Sequence, residues 1–585
     1  MRAAELKDSS FARPMPVIVF AVLALVLALR LAHLSSELRS PLSFQPGPDE
    51  DYYQRFGAAV AAGQGADTPE FTFMDPGYGY LLGAAFKAVG VNAAAIYLLQ
   101  ALLDTATAFG ILAAGRLLGR PRAGLLGALL YGVTSTAIMF CASLLKETCV
   151  ASFVIWWMVG ALALLRSERP LAWLGFGALC GIGIALRSTL LLLGVAALAL
   201  PAFKRWGGGA GAADGARAAL PAFPHRLRDS ALVFAGMAAA LAPWSVRNHR
   251  ADGGFSPLPH NGGIVLHQIY NAQNPQSAIW IPPFVDYSNP SEIWRGYAAE
   301  AQRIAGRPLS PTEVDRYWKD QALGFMWQHP GTVVEDVLRK SLVFLAATEV
   351  PNNRSSMEER LFSPVLSAFP VSMAWLLAMG LAGTAWFAIQ DRRWLVVAAP
   401  IAIAWLTMAV FWAEDRFRFH AAPALALMSG VWLDGLIGGV RRGWQAPAAG
   451  LLAAAIAAAS LYLGTRFPPP PMRWDHIVWG YIKMGNAAQA RALAERVSRD
   501  QPDNAPIAEA LGYLAAAQGR YQDAVREYRR AVDLRPRSYL ARYNLAKAYL
   551  ALGLRAQAAE EAKAAASLDS SDEIRSLEAQ IEAAP

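Results

Sequence analysis

Charge is scarce in this chain of 585 residues. Only 17% of its positions are Asp, Glu, Lys or Arg, against about 25% in an ordinary soluble domain, while 55% are hydrophobic. That balance argues against a water-soluble globule of the usual kind. Cysteine is scarcer still. Cys141, Cys149 and Cys180 each lie in apolar sequence, which reads as small buried hydrophobes and supports neither a disulfide framework nor a cysteine metal site. The 53 basic residues exceed the 45 acidic ones, for a net charge of +8. The basic residues fall mostly at the ends of apolar runs, where membrane topology signals belong, so no nucleic-acid partner is expected.

Long apolar runs are what the chain has in quantity. Residues 15–34 read MPVIVFAVLALVLALRLAHL, about 30 Å as a helix, which matches the hydrocarbon core of a bilayer. This run carries Arg30 near its far end and has no clear small-x-small cleavage site, so it reads as a retained span rather than a signal peptide. Further runs at 93–115, 123–140, 147–165, 171–186, 189–203, 230–247, 366–388, 394–412, 419–438 and 447–464 predict an all-α polytopic fold with about eleven transmembrane helices.

Arginine and lysine mark every second joint: GRLLGRPRAG (115–124), LRSERP (165–170), 204–229 with KRW and PHRLR, QDRRW (390–394) and GGVRRGW (438–444). By the positive-inside rule these joints and the N-terminus are cytoplasmic. Segments 35–92, 141–146, 248–365, 413–418 and everything beyond 465 then face outward, into the periplasm of a bacterial inner membrane, with membrane lipids as surroundings.

The proline-rich link FPPPPM closes the apolar part. After it the pattern changes: Gly485, Gly519 and Gly553 recur at a spacing of 34, as do Ala490, Ala524 and Ala558. That is the tetratricopeptide period. The expected organisation is a membrane domain over 1–465, a linker over 466–473, three repeats over 474–571 forming a short α-solenoid, and a tail over 572–585. Such a solenoid offers a face for a protein partner, or serves as a packing cap for the membrane domain.

The polar residues cluster at the outward tips of the spans. Asp49 and Glu50 follow the first span in QPGPDEDYYQRFG, Lys146-Glu147 opens another, and Arg187 sits between two short runs. Arg247 closes a run in PWSVRN, and Arg416 and Arg418 fill AEDRFRFH. Ionisable groups at a membrane level are functional candidates by default. A carboxylate can take a proton from an incoming hydroxyl or amine. Guanidinium groups can clamp phosphate oxygens and hold the charge of a phosphate leaving group. The substrate suggested is a phosphate carried on a membrane lipid. His260, Asn261, His267, Tyr270 and Asn271 in PLPHNGGIVLHQIYNAQN are sugar-site or loop residues on this reading, and the two histidines lack a third metal ligand nearby.

PGPDEDYY, DPGYGYLLGAAFKAVG, LLKET, GIALRSTLLL, LAPWSVRNH and AEDRFRFHAAPALALMSG follow one another across most of residues 10–440. This ordered set resembles the GT-C superfamily of membrane glycosyltransferases. Within it, the set resembles the group using polyprenyl- or dolichyl-phosphate sugars, such as protein O-mannosyltransferases, aminoarabinose transferases and Rhizobium-type lipopolysaccharide core transferases. The resemblance implies Asp49 as catalytic base, with Glu50 orienting it or the acceptor and Asp51 as a less secure alternative. It implies Arg187, Arg247, Arg416 and Arg418 as ligands of the lipid phosphate, with Lys146 added. Tyr52, Glu147, His260, Asn261, His267 and Tyr270 stand as sugar or acceptor contacts. The implied reaction is a single inverting displacement from a polyprenyl-phosphate sugar to a glycan, lipid or protein acceptor. No resident metal is assigned, although a divalent cation (Mg or Mn) between Asp49 and the phosphate is compatible with this chemistry. Where the family carries Arg-Tyr, an apolar residue and Pro, this chain has Arg416-Phe417-Arg418-Phe419-His420. Where the family has Pro-Glu, it has Lys146-Glu147. The rival readings are a transporter or flippase of lipid-linked glycans, and a scaffold whose repeats bind proteins.

Overall fold

The computed structural model describes residues 15–64, 69–207, 223–274, 280–285, 290–369, 371–439, 445–568 and 572–583. Among these the elements are helical, apart from a single bridge pairing Thr134 with Val371. The chain divides into two compact units. The first comprises Met1–Ser36 and Gly47–Pro470, and the second Glu37–Pro46 and Pro471–Pro585.

The expectation of about eleven spans is corrected. Among the described residues four helices are long and apolar enough to cross a membrane: Pro16–Glu37, Ala93–Leu117, Glu147–Leu164 and Pro224–Ala251. Six more apolar helices, of 10–17 residues, fall short. At 1.5 Å per residue a 17-residue helix reaches only about 25 Å, less than the roughly 30 Å of hydrocarbon. The apolar runs overestimated the helices because backbone breaks divide them. Residues 123–140 split into Pro121–Gly132 and Ser135–Phe140, with the Ser135 N–H turned to Val371 O at 3.0 Å. Arg187, extended at φ −155°, stops the helix Pro170–Leu186. Residues 208–222 of one basic joint and 440–444 of another lie outside the described residues.

Within the first unit the helices pack through small residues, which let backbones approach closely. A Cβ at Gly177 would lie 2.1 Å from Val233 O, so this glycine sets the contact between Pro170–Leu186 and the long helix Phe223–Asp252. Arg30, in the first span, is fully buried against Asp104 of Ala93–Leu117 at 2.7 Å. Tyr131 donates to the same carboxylate, and Arg30 also reaches the carbonyl of Gly132. The charge that stood out inside the first apolar run is thus neutralised, and it ties three helices together. Two of the basic joints meet: Arg393 donates to Leu117 O at 3.0 Å, and Arg120 to Gln390 Oε1 at 2.5 Å.

The second unit is a helical repeat. Helices Trp474–Lys483 and Ala487–Asp500, Ala505–Ala516 and Tyr521–Leu534, and Tyr539–Ala551 and Arg555–Ala566 form pairs, followed by Asp572–Ala583. The 34-residue period has a physical cause. Gly485, Gly519 and Gly553 turn each pair at φ of 82°, 73° and 74°, a left-handed region that glycine enters without penalty. Ala490, Ala524 and Ala558 are fully buried where helices touch. Residues Glu37–Pro46 belong to this unit, and their short 3-10 turn Pro41–Phe44 packs against Trp474–Lys483.

Candidate functional site

The helix Pro48–Ala61 starts at Gly47, with proline in its first turn followed by Asp49, Glu50 and Asp51. Proline is preorganised for a first helical turn, and acids there meet the positive end of the helix. The three acids nevertheless have different surroundings.

Glu50 turns back beneath the helix. Its Oε2 accepts the Gly47 N–H at 2.9 Å, its Oε1 accepts the Leu144 N–H at 3.1 Å, and Arg354 straddles both oxygens at 2.9–3.2 Å. At 1% exposure this carboxylate is a brace. Asp51 is on the surface, paired with Arg55 one turn on.

Asp49 lines a pocket. Its Oδ2 accepts from Arg416 at 2.6 Å and from Asn353 Nδ2 at 2.9 Å, while Asn353 Oδ1 accepts the Asp49 N–H at 3.1 Å. Gly47 makes room for this clamp, since a Cβ there would lie 2.7 Å from Asn353 Oδ1. No donor among the described residues bonds Asp49 Oδ1. The pocket encloses about 620 Å³, open mouth included, and its polar wall carries Asp49, Arg416, Asn261, Gln268 and Asn352. Arg416 also holds Glu414 at 2.5 Å. Burial works against its charge, but Glu414 and then Asp49 outweigh burial and raise its pKa above the ordinary arginine value. Its second terminal nitrogen bonds nothing among the described residues.

A second group of charges lies within electrostatic reach. Lys146 pairs with Asp75 and stands 5.6 Å from the Tyr53 ring centroid. Burial lowers the lysine pKa, opposed by Asp75. Asp75 Oδ1 accepts the Ser188 N–H at 3.0 Å, one residue past Arg187. Arg187 pairs with Glu147 at 3.2 Å, contacts His420 Nε2 at 3.4 Å, and lies 4.5 Å from the Phe417 ring centroid. Its remaining nitrogens have no partner among the described residues. His420 is held neutral: burial depresses its pKa most, followed by Arg187, Lys146 and Arg416. Asp49, Lys146, Glu147, Arg187, Arg416 and His420 therefore form one electrostatic neighbourhood.

Other expected site residues have structural partners of their own. Arg418 is 2% exposed and spends its donors on Asp415 and on the carbonyls of Ala346 and Thr348. Arg247 donates to Phe71 O at 2.7 Å and sits against the rings of Phe56 and Tyr80. Tyr52 is buried in an aromatic cluster with Tyr53, Phe56 and Phe71. Tyr270 donates to Val410 O at 3.0 Å, and the backbone N–H of His260 donates to Thr72 O at 3.4 Å. His267 packs 4.4 Å from Trp318, and burial lowers its pKa to about 4. Asn261 does reach the Asp49 pocket.

Sequence reasoning missed Asn353, Arg354 and Asp75. The first two come from PNNRSS, a run without a recognisable motif, and Asp75 was visible only as the opening of DPGYGY. Among the described residues no three His, Cys, Asp or Glu side chains group as metal ligands. The carboxylates near Asp49 are engaged with arginine or lysine, so the residues present do not fit a resident metal.

Residues 67–207 match the family model for dolichyl-phosphate-mannose-protein mannosyltransferase, and residues 512–553 match a TPR repeat. A search of curated proteins returns no match. Among solved structures, the archaeal oligosaccharyltransferase AglB from Archaeoglobus fulgidus, in complex with an inhibitory peptide and a dolichol-phosphate, is 13% identical with a TM-score of 0.42. The match covers 80% of this chain and 58% of that one. The Archaeoglobus fulgidus oligosaccharyltransferase tethered to an acceptor peptide gives 13% identity, 80% and 57% coverage, and a TM-score of 0.42. The chain thus spans less than two thirds of the length of these proteins.

Proposed function

We propose that the chain transfers a sugar from a polyprenyl-phosphate donor to an acceptor, by direct displacement in the pocket beside Asp49. The observation carrying this reading is the asymmetry of Asp49. One carboxylate oxygen is fixed by Arg416 and Asn353, while the other has no partner among the described residues. In the reaction, Asp49 Oδ1 takes the acceptor proton as the acceptor attacks the anomeric carbon. The bond from that carbon to the phosphate oxygen breaks, and its electron pair leaves with the polyprenyl phosphate. Arg416 and Arg187 receive that charge through their unspent nitrogens, and Lys146 adds field. Glu50 and Arg354 fix the start of the helix that aims Asp49. A single displacement inverts the anomeric centre.

The match of residues 67–207 to a dolichyl-phosphate-mannose enzyme family supports a lipid-phosphate donor. In this reading the end of the membrane unit bearing Asp49 faces outward and the arginine-rich joints face the cytoplasm. The repeat region binds a protein partner.

The test uses the full chain in lipid nanodiscs with a panel of polyprenyl-phosphate sugars, following release of polyprenyl phosphate. Release that depends on Asp49 supports the proposal. Absence of release across the panel, or equal release by Asp49→Asn, overturns it.

A further inference from the structure

A second groove lies on the far side of the helix Gly262–Ile269. That helix presents Val265 and Gln268 to the Asp49 pocket, and His267 to a separate groove of about 1120 Å³, open mouth included. The groove is walled by the helix Pro311–Gln328 and by residues 280–284.

Its lining combines aromatic rings with polar side chains, His267, Asn271, Gln273 and His329 among them. Trp280, Phe284 and Phe325 supply planar rings, and Phe284 is 38% exposed. Beneath it Trp318 is a fixed base: its ring is stacked with Phe284 at 5.9 Å, and its indole N–H is bound to Tyr297 O at 3.0 Å. Among the rings stand Asp320, Gln321 and Gln328, whose side chains have no hydrogen bond to the protein among the described residues. Two amides and a carboxylate provide both donors and acceptors. The described lining holds no Lys or Arg, so no permanent cation there would repay the dehydration of a phosphate or a uronate. An acyl chain would strand the amides and the carboxylate. A sugar ring suits all of it, because its C–H face covers an aromatic ring while its hydroxyls both donate and accept.

We propose that this groove binds a neutral oligosaccharide, the acceptor glycan, with its rings on Trp280, Phe284 and Phe325 and its hydroxyls on Asp320, Gln321 and Gln328. The acceptor role rests on the transferase reading above, whereas the binding itself does not. One helix separates the groove from the Asp49 pocket, so a bound glycan chain is positioned to present a terminal residue across it.

The full chain in nanodiscs is passed over immobilised neutral glycans (glucan, mannan and chitin oligomers), uronate-containing glycans and unglycosylated peptides. Retention by at least one neutral class, tenfold above the uronates and peptides, is expected. Phe284→Ala and Gln321→Ala, both at exposed positions, each lose about tenfold in retention, while Asp49→Asn binds as the parent does. No retention of any neutral glycan, equal retention by both groove variants, or preference for uronates or peptides overturns the proposal. Failure of transfer with retention intact would refute the catalytic reading and leave the groove standing.

Discussion

Exchanging each carboxylate at the start of the Pro48 helix for its amide separates two roles that the sequence places side by side. In Asp49→Asn the proposed general base is gone. Loss of such a base costs about 10²–10⁴-fold in turnover, roughly 3–5 kcal/mol of barrier. The fold loses little. The Asp49–Arg416 pair is mostly buried, at 15% and 11% side-chain exposure, but Arg416 keeps Glu414, and the amide oxygen that replaces the carboxylate can still accept from Arg416 and Asn353. The stability loss expected is therefore about 1–2 kcal/mol, the weakening of one charge-assisted hydrogen bond to a neutral acceptor. Glu50→Gln is the reverse case. Both Glu50 oxygens accept backbone N–H groups, and an amide replaces one acceptor with a donor, so Gly47 or Leu144 must face an N–H. Arg354 loses the Glu50 charge and keeps its pair with Glu359, at 3.3 Å. An unsatisfied buried donor costs about 1–3 kcal/mol, and a broken buried ion pair about 3–5. Thermal unfolding of each variant in the same nanodiscs, read beside polyprenyl-phosphate release, tests both claims. Asp49→Asn should unfold near the parent and turn over at most a hundredth as fast, and Glu50→Gln should unfold measurably earlier. An Asp49→Asn enzyme within threefold of the parent, or a Glu50→Gln enzyme of parental stability that has lost only turnover, refutes the assignment.

Arg187→Lys keeps the charge beside Glu147 but loses the planar fork, so KM for the lipid donor should rise about tenfold with little change in unfolding temperature. An unchanged KM would remove Arg187 from phosphate binding. Glu349 is pushed up to about 7 by burial and by Asp415. Raised above its ordinary 4.5, it adds stability that is fully present below that value and lost as pH rises through 7. Unfolding temperatures between pH 4.5 and 8 should show this decline, and Glu349→Gln should flatten it; an equal slope in the variant refutes the attribution. Gly480→Leu puts a Cβ 2.2 Å from the Pro41 carbonyl. It should expose residues 37–46 to limited proteolysis while the repeats keep their helical circular dichroism, and an unchanged digestion pattern would refute the packing.

The repeats were legible because a 34-residue period leaves its mark at every turn glycine and every buried alanine. Helix lengths in the membrane unit were not, because hydropathy records composition and misses breaks such as Arg187 and Thr134, where a backbone group finds a partner remote in sequence. The carboxylate cluster of the candidate site was also legible, since acids after an apolar run are conspicuous. Its partners Asn353 and Arg354 sit some 304 residues away along the chain, in a loop whose polar residues look like any wetted turn. Nothing local distinguishes a loop asparagine that clamps a carboxylate from one that faces water.

Arg416 and Arg418 looked equivalent in DRFRF, and helical geometry separates them. They lie two residues apart on the short helix Asp415–Phe419, about 200° around its axis at 3.6 residues per turn, so one face cannot present both. Arg416 takes the Asp49 side. Arg418 points inward, to carbonyls just beyond the helix Pro330–Leu345, those of Ala346 and Thr348. A cation at a helix C-terminus meets the negative end of the helix dipole, so this guanidinium fixes where the chain emerges from that helix. The residues that emerge there run directly to Asn352, Asn353 and Arg354, which hold Glu414, Asp49 and Glu50. Arg418 therefore acts on the site by anchoring the loop that clamps both carboxylates. Arg418→Met should accordingly lower stability and turnover together while leaving KM for the lipid donor near its parental value. A rise in that KM with stability unchanged would return Arg418 to the phosphate.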